Sequence, residues 1–171
     1  MNYSILREFD VANGPGIRVS LFVSGCHHHC KGCFNAETWD FNYGQPFTED
    51  TIDTILQYMK PDYIAGITLL GGDPLEPLNQ KGLLPLLRLL KESYPNKSIW
   101  CYTGYLYDKD LVPMSNESTI TKEFLSFLDV LVDGPFIEEQ KNLSLRFRGS
   151  ANQRIIQMPQ TLSQWKIVMV Q

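Results

Sequence analysis

No apolar run in this 171-residue chain approaches the roughly 18 residues needed to cross a bilayer. Basic residues are outnumbered, 15 Lys and Arg against 19 Asp and Glu. The net charge of −4 argues against nucleic acid as the main partner, because phosphate binding needs a basic footprint. Met1-Asn2-Tyr3-Ser4 has no basic start of a secretory leader, and no apolar stretch follows it, so the expected location is cytoplasmic. Only four cysteines are present, and no second Cys-x-x-Cys pair of the tandem zinc kind accompanies the first group. A cytosolic setting keeps thiols reduced, which sets a disulfide framework aside. The chain also lacks a Gly-x-x-x-x-Gly-Lys phosphate loop, an evident Ser/His/Asp arrangement, an internal repeat and any low-complexity tract.

What is present is concentrated in Cys26-His27-His28-His29-Cys30-Lys31-Gly32-Cys33. Three cysteines at spacing Cys-x3-Cys-x2-Cys follow an apolar run, Val19 to Ser24, that reads as a buried strand. They therefore fall in the loop at the C-terminal end of a strand, where α/β folds place their sites. Three thiolates on one loop can converge on one metal centre. A 4Fe–4S cluster has four irons and usually takes four cysteines. Cys26, Cys30 and Cys33 supply three, which leaves one iron open to a small molecule. Structural zinc, held by the same cysteines and one of His27, His28 or His29, is the alternative.

The composition, 43% hydrophobic and 20% charged, is that of a chain able to bury a core, and its length suits one domain, 1–171. Asn13-Gly14-Pro15-Gly16 marks a tight turn before the first strand at about 18–24. Further strands are expected near 63–70, 98–102 and 127–132, with shorter runs at 143–147, 153–156 and 166–170. Helices are expected near 49–60, capped by Thr48, near 80–94 and near 118–127. Strand, loop and helix repeat, which argues for parallel strands with right-handed crossovers. The chain is too short for a closed (β/α)₈ barrel of about 250 residues. The expected fold is α/β, a partial open (β/α) barrel of mainly parallel strands, with a doubly wound sheet as the alternative.

Each expected strand ends in a residue that can serve a site. Gly71-Gly72-Asp73-Pro74 frees backbone to approach a ligand's ammonium or carboxylate; taken alone it reads better as an ordinary glycine turn. Thr103 and Asp133 offer a hydroxyl and a carboxylate for ribose or a cation, and Asp before Gly also caps turns. Lys141, Arg146, Arg148 and Arg154 form a late basic cluster, either a carboxylate clamp or a solvated face. Cys101 sits within an apolar strand and reads as a small buried hydrophobe.

Together these stretches resemble the radical S-adenosylmethionine (SAM) superfamily, and within it the activators of anaerobic ribonucleoside-triphosphate reductases. The resemblance is carried by Asn13 to Gly16, Leu21 to Cys26, Gly32 to Asn35, Thr38-Trp39, Gly71 to Leu75, Thr103 to Tyr105, Val130 to Gly134 and Arg148 to Ser150. It implies an enzyme in which Cys26, Cys30 and Cys33 ligate a 4Fe–4S cluster. SAM would chelate the open iron, with Gly32, Cys33, Phe34, Gly71, Gly72, Asp73, Thr103 and Asp133 around it. It implies reductive cleavage of SAM to a 5′-deoxyadenosyl radical, which makes a glycyl radical on the large reductase subunit. A flavodoxin- or ferredoxin-like protein would supply the electron. Two features depart from the superfamily pattern. Gly32 stands where many members carry an aromatic, which leaves adenine contact to Phe34; and the segment after Asn152, through Trp165 to Met169, has no match and reads as a last strand or a docking element. An activator of another glycyl-radical enzyme, such as pyruvate formate-lyase, and a small zinc or iron–sulfur binding module are the competing readings.

Overall fold

The computed structural model describes residues 1–171. Its strands are β1 (Asn2–Asp10), β2 (Ile17–Val23), β3 (Gln45–Pro46), β4 (Ile64–Gly71), β5 (Ser98–Tyr102), β6 (Val130–Asp133) and β7 (Arg154–Gln157). Its helices are α1 (Glu49–Tyr58), α2 (Pro77–Ser93), α3 (Val112–Glu117), α4 (Thr119–Phe127) and α5 (Met158–Gln164). The strands form one sheet in the order β3-β1-β2-β4-β5-β6-β7. No helix is long and apolar enough to cross a membrane.

The expected partial barrel of mainly parallel strands is not what forms. Three pairings are parallel, β2–β4, β4–β5 and β5–β6, and three are antiparallel, β1–β2, β1–β3 and β6–β7. The result is a mixed open sheet with β3 and β7 at its two edges. The reason lies in the connections. The Asn13–Gly16 turn is too short for a crossover, so β1 and β2 make a hairpin. After β6 the chain loops through residues 134–153 and re-enters beside the strand end it left, pairing Arg154 with Asp133 and running back.

The parallel strands follow one another in simple order, and the helices between them cover one face. Val19, Leu21, Ile67, Leu69, Ile99, Cys101 and Leu131 pack there against Ile55 of α1, the leucines of α2 and Phe124 of α4. Alternation sends Trp100, Val130 and Val132 to the other face, where Phe147 and Ile155 meet them. No helix lies over Trp100; the ring of Phe147, from the 134–153 segment, packs on it edge-on at 5.5 Å. Arg18 crosses beneath this face, donating from Nε to Thr68 (2.8 Å) and from Nη2 to the carbonyls of Ile67 (2.8 Å) and Ser98 (2.9 Å). It ties three strands together without a carboxylate partner.

Local chemistry explains the element boundaries. Thr48 precedes α1, and its N–H donates to Thr51 Oγ1 at 3.2 Å. Pro77 opens α2, where a missing N–H costs nothing. Pro85 lies inside α2 and removes one ladder bond, a cost of about 3 kcal/mol. Leu83, Leu84, Leu86, Leu87 and Leu90 are all buried. At roughly 2 kcal/mol each, their burial outweighs that cost. Gln80 joins α2 to α4, donating to the Leu75 carbonyl (2.6 Å) and accepting from Thr121 (2.7 Å).

Candidate metal centre

The β2 strand delivers Ser24 and Gly25 into the cysteine loop, and β4 delivers Gly71 and Gly72 beside them. The two backbones touch. Gly72 N–H donates to the Val23 carbonyl at 2.7 Å, and Asp73 N–H to the Gly25 carbonyl at 2.9 Å. A Cβ on Gly72 would lie 2.6 Å from the Gly25 oxygen, so only glycine permits this approach. Asn79, in the first turns of α2, donates to the carbonyls of Ser24 (3.0 Å) and Asp73 (2.8 Å), clamping both loops from below.

These loops open on a cavity of about 520 Å³ that runs along the helix-free face of the sheet. Cys26, Cys30, Cys33, Phe34, Gly71 and Gly72 all line it. The volume is within the usual range for a small-molecule site, about 300–1,000 Å³. All four cysteines are free thiols. Burial, aided by the charges of Asp73 and Glu76, pushes the Cys26 thiol up to about 12, and burial also raises Cys30. Such thiols are poor anions by themselves. A bound cation reverses this, because a coordinating thiol is deprotonated outright. The donor atoms of Cys26, His28 and Asp73 lie within 4.8 Å of one another. Cys101 is fully buried in β5, within the main apolar core.

Asp73 is the hub of the site and is itself fully buried. Its carboxylate accepts from the N–H groups of Leu75 (2.8 Å) and Gly104 (2.9 Å), from the Thr103 hydroxyl (2.9 Å) and from His28 Nε2 (2.8 Å). Hydrogen bonding to Asp73 holds the His28 imidazolium above its ordinary range. Thr103 reaches the cavity wall, with its hydroxyl turned to Asp73. Asp133, also fully buried, does not line the cavity. It accepts from Arg154 Nε at 2.9 Å and from the Tyr107 N–H at 2.8 Å. Gly32 is exposed and turned away, beside Glu138. Phe34 sits at the rim, 5.1 Å from the Phe136 ring, with Lys141 Nζ 5.0 Å over it.

The late basic residues separate. Arg154 belongs to the Asp133 pair and also reaches Asp108 at 2.7 Å. Arg148 donates to the Gln153 carbonyl at 2.6 Å, and Arg146 lies over Phe147. The three histidines separate as well. His28 faces the cavity; His27 and His29 lie on the other side of the loop, His27 against Glu76 (3.0 Å) and His29 stacked on Trp39 (4.5 Å). Sequence reasoning overlooked Glu76 and Asn79. For Asn79 the signal was a polar residue on the apolar stripe of α2, since Asn79 and Leu83 are four apart and both fully buried.

Comparison with known proteins gives this geometry a context. The model of the 4Fe-4S single cluster domain matches residues 12–156. A protein of Vibrio cholerae named anaerobic ribonucleoside-triphosphate reductase-activating protein is 43% identical over 157 residues, covering 91% of this chain and 97% of its own. Proteins of the same name from Haemophilus influenzae and Escherichia coli are 45% and 42% identical, covering 91% and 90% of this chain and 97% and 96% of their own.

Proposed function

This chain belongs to the anaerobic ribonucleoside-triphosphate reductase-activating protein family, with its 4Fe-4S single cluster domain, and on that premise we propose that it is a radical SAM activase. Its substrate is a glycine-bearing segment of the large subunit of the anaerobic reductase. The residues fit the cluster and the cofactor. Cys26, Cys30 and Cys33 open on one cavity, the buried Cys26 thiol calls for a cation, and the Gly71-Gly72 turn lines the same cavity. When bound, a 4Fe–4S cluster would supply the electron for reductive cleavage of SAM to methionine and a 5′-deoxyadenosyl radical, the species that would take hydrogen from the glycine Cα.

The chain's own residues bind, orient and shield. Cys26, Cys30 and Cys33 hold the cluster. Gly71 and Gly72 present bare backbone to the amino-acid end of SAM, with Thr103 on the same wall. Phe34 and Cys33 stand at the adenine end, with Gly32 outside the cavity beside Glu138. Asp73 and Asp133 serve from behind, Asp73 by fixing the loops and Asp133 by fixing the β6 end through Arg154. Tyr102 and Phe147 keep water from the inner end of the cavity, where the Tyr102 hydroxyl donates to the Phe147 carbonyl at 2.8 Å. Residues 1–171 act as one unit in the cytoplasm, and a flavodoxin- or ferredoxin-like carrier provides the electron.

The observation that carries this reading is the convergence of the three cysteines and the double-glycine turn on one cavity. The test is anaerobic iron–sulfur reconstitution, then reduction with SAM present. The expected result is 5′-deoxyadenosine, a reduced-cluster paramagnetic signal that shifts with SAM, and a glycyl signal on added anaerobic reductase. A glycyl signal solely on pyruvate formate-lyase would move the chain to a different partner. Tight zinc binding with SAM left intact would defeat the reading altogether.

A further inference from the structure

His28 lies between Cys26 and Cys30 and is the one histidine of the three that lines the cavity. Its ring is wedged. A Cβ on Gly104 would lie 2.6 Å from His28 Cδ2, and the Tyr105 ring meets it edge-on at 4.5 Å. From this fixed position Nε2 points at Asp73 Oδ2, 2.8 Å away. Three side-chain links reach the cysteine loop from around the start of α2: Asn79 to the Ser24 carbonyl, Glu76 to His27 and Asp73 to His28. The Asn79 link holds the root of the loop together with the Asp73 N–H bond to the Gly25 carbonyl, and the Glu76 link is on the solvent side, where the His27 side chain is 74% exposed. Only the His28–Asp73 link reaches the stretch between Cys26 and Cys30 along the cavity wall, joining it to the residue that follows Gly71-Gly72.

We propose that His28 is a positioning residue: its bond to Asp73 sets the spacing between the cysteine loop and the double-glycine turn, and so couples cluster binding to SAM binding. This rests on the functional reading above. An Asp carboxylate has room for about four hydrogen bonds, and Asp73 is filled by Leu75, Gly104, Thr103 and His28, with none left for a ligand. Asp73 therefore acts through the loops it holds. Removing His28 leaves three donors on the buried carboxylate but takes away its cationic partner, so the comparison needs a variant that keeps a donor without the charge. What is lost is the rigid spacing, and losses of such outer partners typically cost 10–100-fold in affinity or activity.

The test compares wild type, His28→Leu and His28→Gln after anaerobic reconstitution. It reads iron content, SAM affinity by equilibrium binding, and the paramagnetic spectrum with and without SAM. Gln carries an amide nitrogen close to where Nε2 sits, so it restores the donor. His28→Leu is expected to keep its cluster, bind SAM about 10–100-fold more weakly and lose the SAM-induced spectral change. His28→Gln is expected to resemble wild type. Loss of iron in the Leu variant overturns it, because the ring then serves cluster loading rather than the spacing to the double-glycine turn. A Leu variant with wild-type affinity and spectrum overturns it, and so does a Gln variant as impaired as the Leu one. Wild-type protein that binds no SAM overturns instead the functional reading on which the proposal rests.

Discussion

Cys26 and Cys101 have the same side chain and similar burial, 8% and 0% exposed, yet they stand in different chemical settings. Cys101 is surrounded by the apolar core, which raises its thiol well above the ordinary range and leaves it no route to a ligand. Cys26 faces a cavity with Cys30 and Cys33. Serine at position 26, 30 or 33 is expected to abolish iron–sulfur loading, read as iron and sulfide content. Cys101→Ser puts an unpaired hydroxyl into the core and is expected to cost about 1–3 kcal/mol in urea unfolding while the cluster is retained. Loss of the cluster only in Cys101→Ser would overturn the ligand assignment. The spacing of the cysteines was plain in the sequence. The partners of Asp73 were not, because His28, Leu75, Thr103 and Gly104 come together only when β4 and β5 lie side by side.

Among the elements, α2 is the one whose sequence works against itself. Pro85 interrupts its ladder and faces solvent, whereas the leucines on either side are buried. Pro85→Ala is expected to raise stability by about 1–3 kcal/mol, measured by urea or thermal unfolding of the apo protein. An unchanged or lowered midpoint would mean that the helix needs the kink. The same strength of burial made α2, β2, β4 and β5 legible in advance, since long apolar runs ended by glycine or proline leave little choice. The first strand was not legible. β1 exposes Ile5, Arg7, Glu8 and Phe9 and buries only Tyr3 and Asp10, so no apolar alternation marks it. Its partner β2 supplies the reason for its shape. Residues 107–117 read as loose chain and instead form a π-helical turn, Tyr107–Leu111, followed by α3, because Leu111 is fully buried and anchors them. The run at 143–147 forms no strand. Residues 166–170 add only an edge contact to β7, where Val170 N–H donates to the Ile155 carbonyl at 2.8 Å.

At the scale of the molecule, charge and shape follow different rules. The Arg154 bond holds the Asp108 carboxyl below its ordinary 3.8, and Arg88 holds Glu123 below 4.5. Carboxyls lowered in the folded state add stability that is complete above those ordinary values and fades as pH falls through the folded ones. The urea midpoint of the apo protein is therefore expected to lose these contributions from about pH 4.5 downwards. Both pairs are partly exposed, so the effect is small and high salt shrinks it. A salt-independent decline would point to other groups.

Because every core-forming helix lies on one side of the sheet, the cavity and the hydrophobic core are built from opposite faces of the same strands. The 134–153 covering can therefore change without altering the volume that the leucines must fill, so substitutions in one compartment are expected to leave the packing of the other intact.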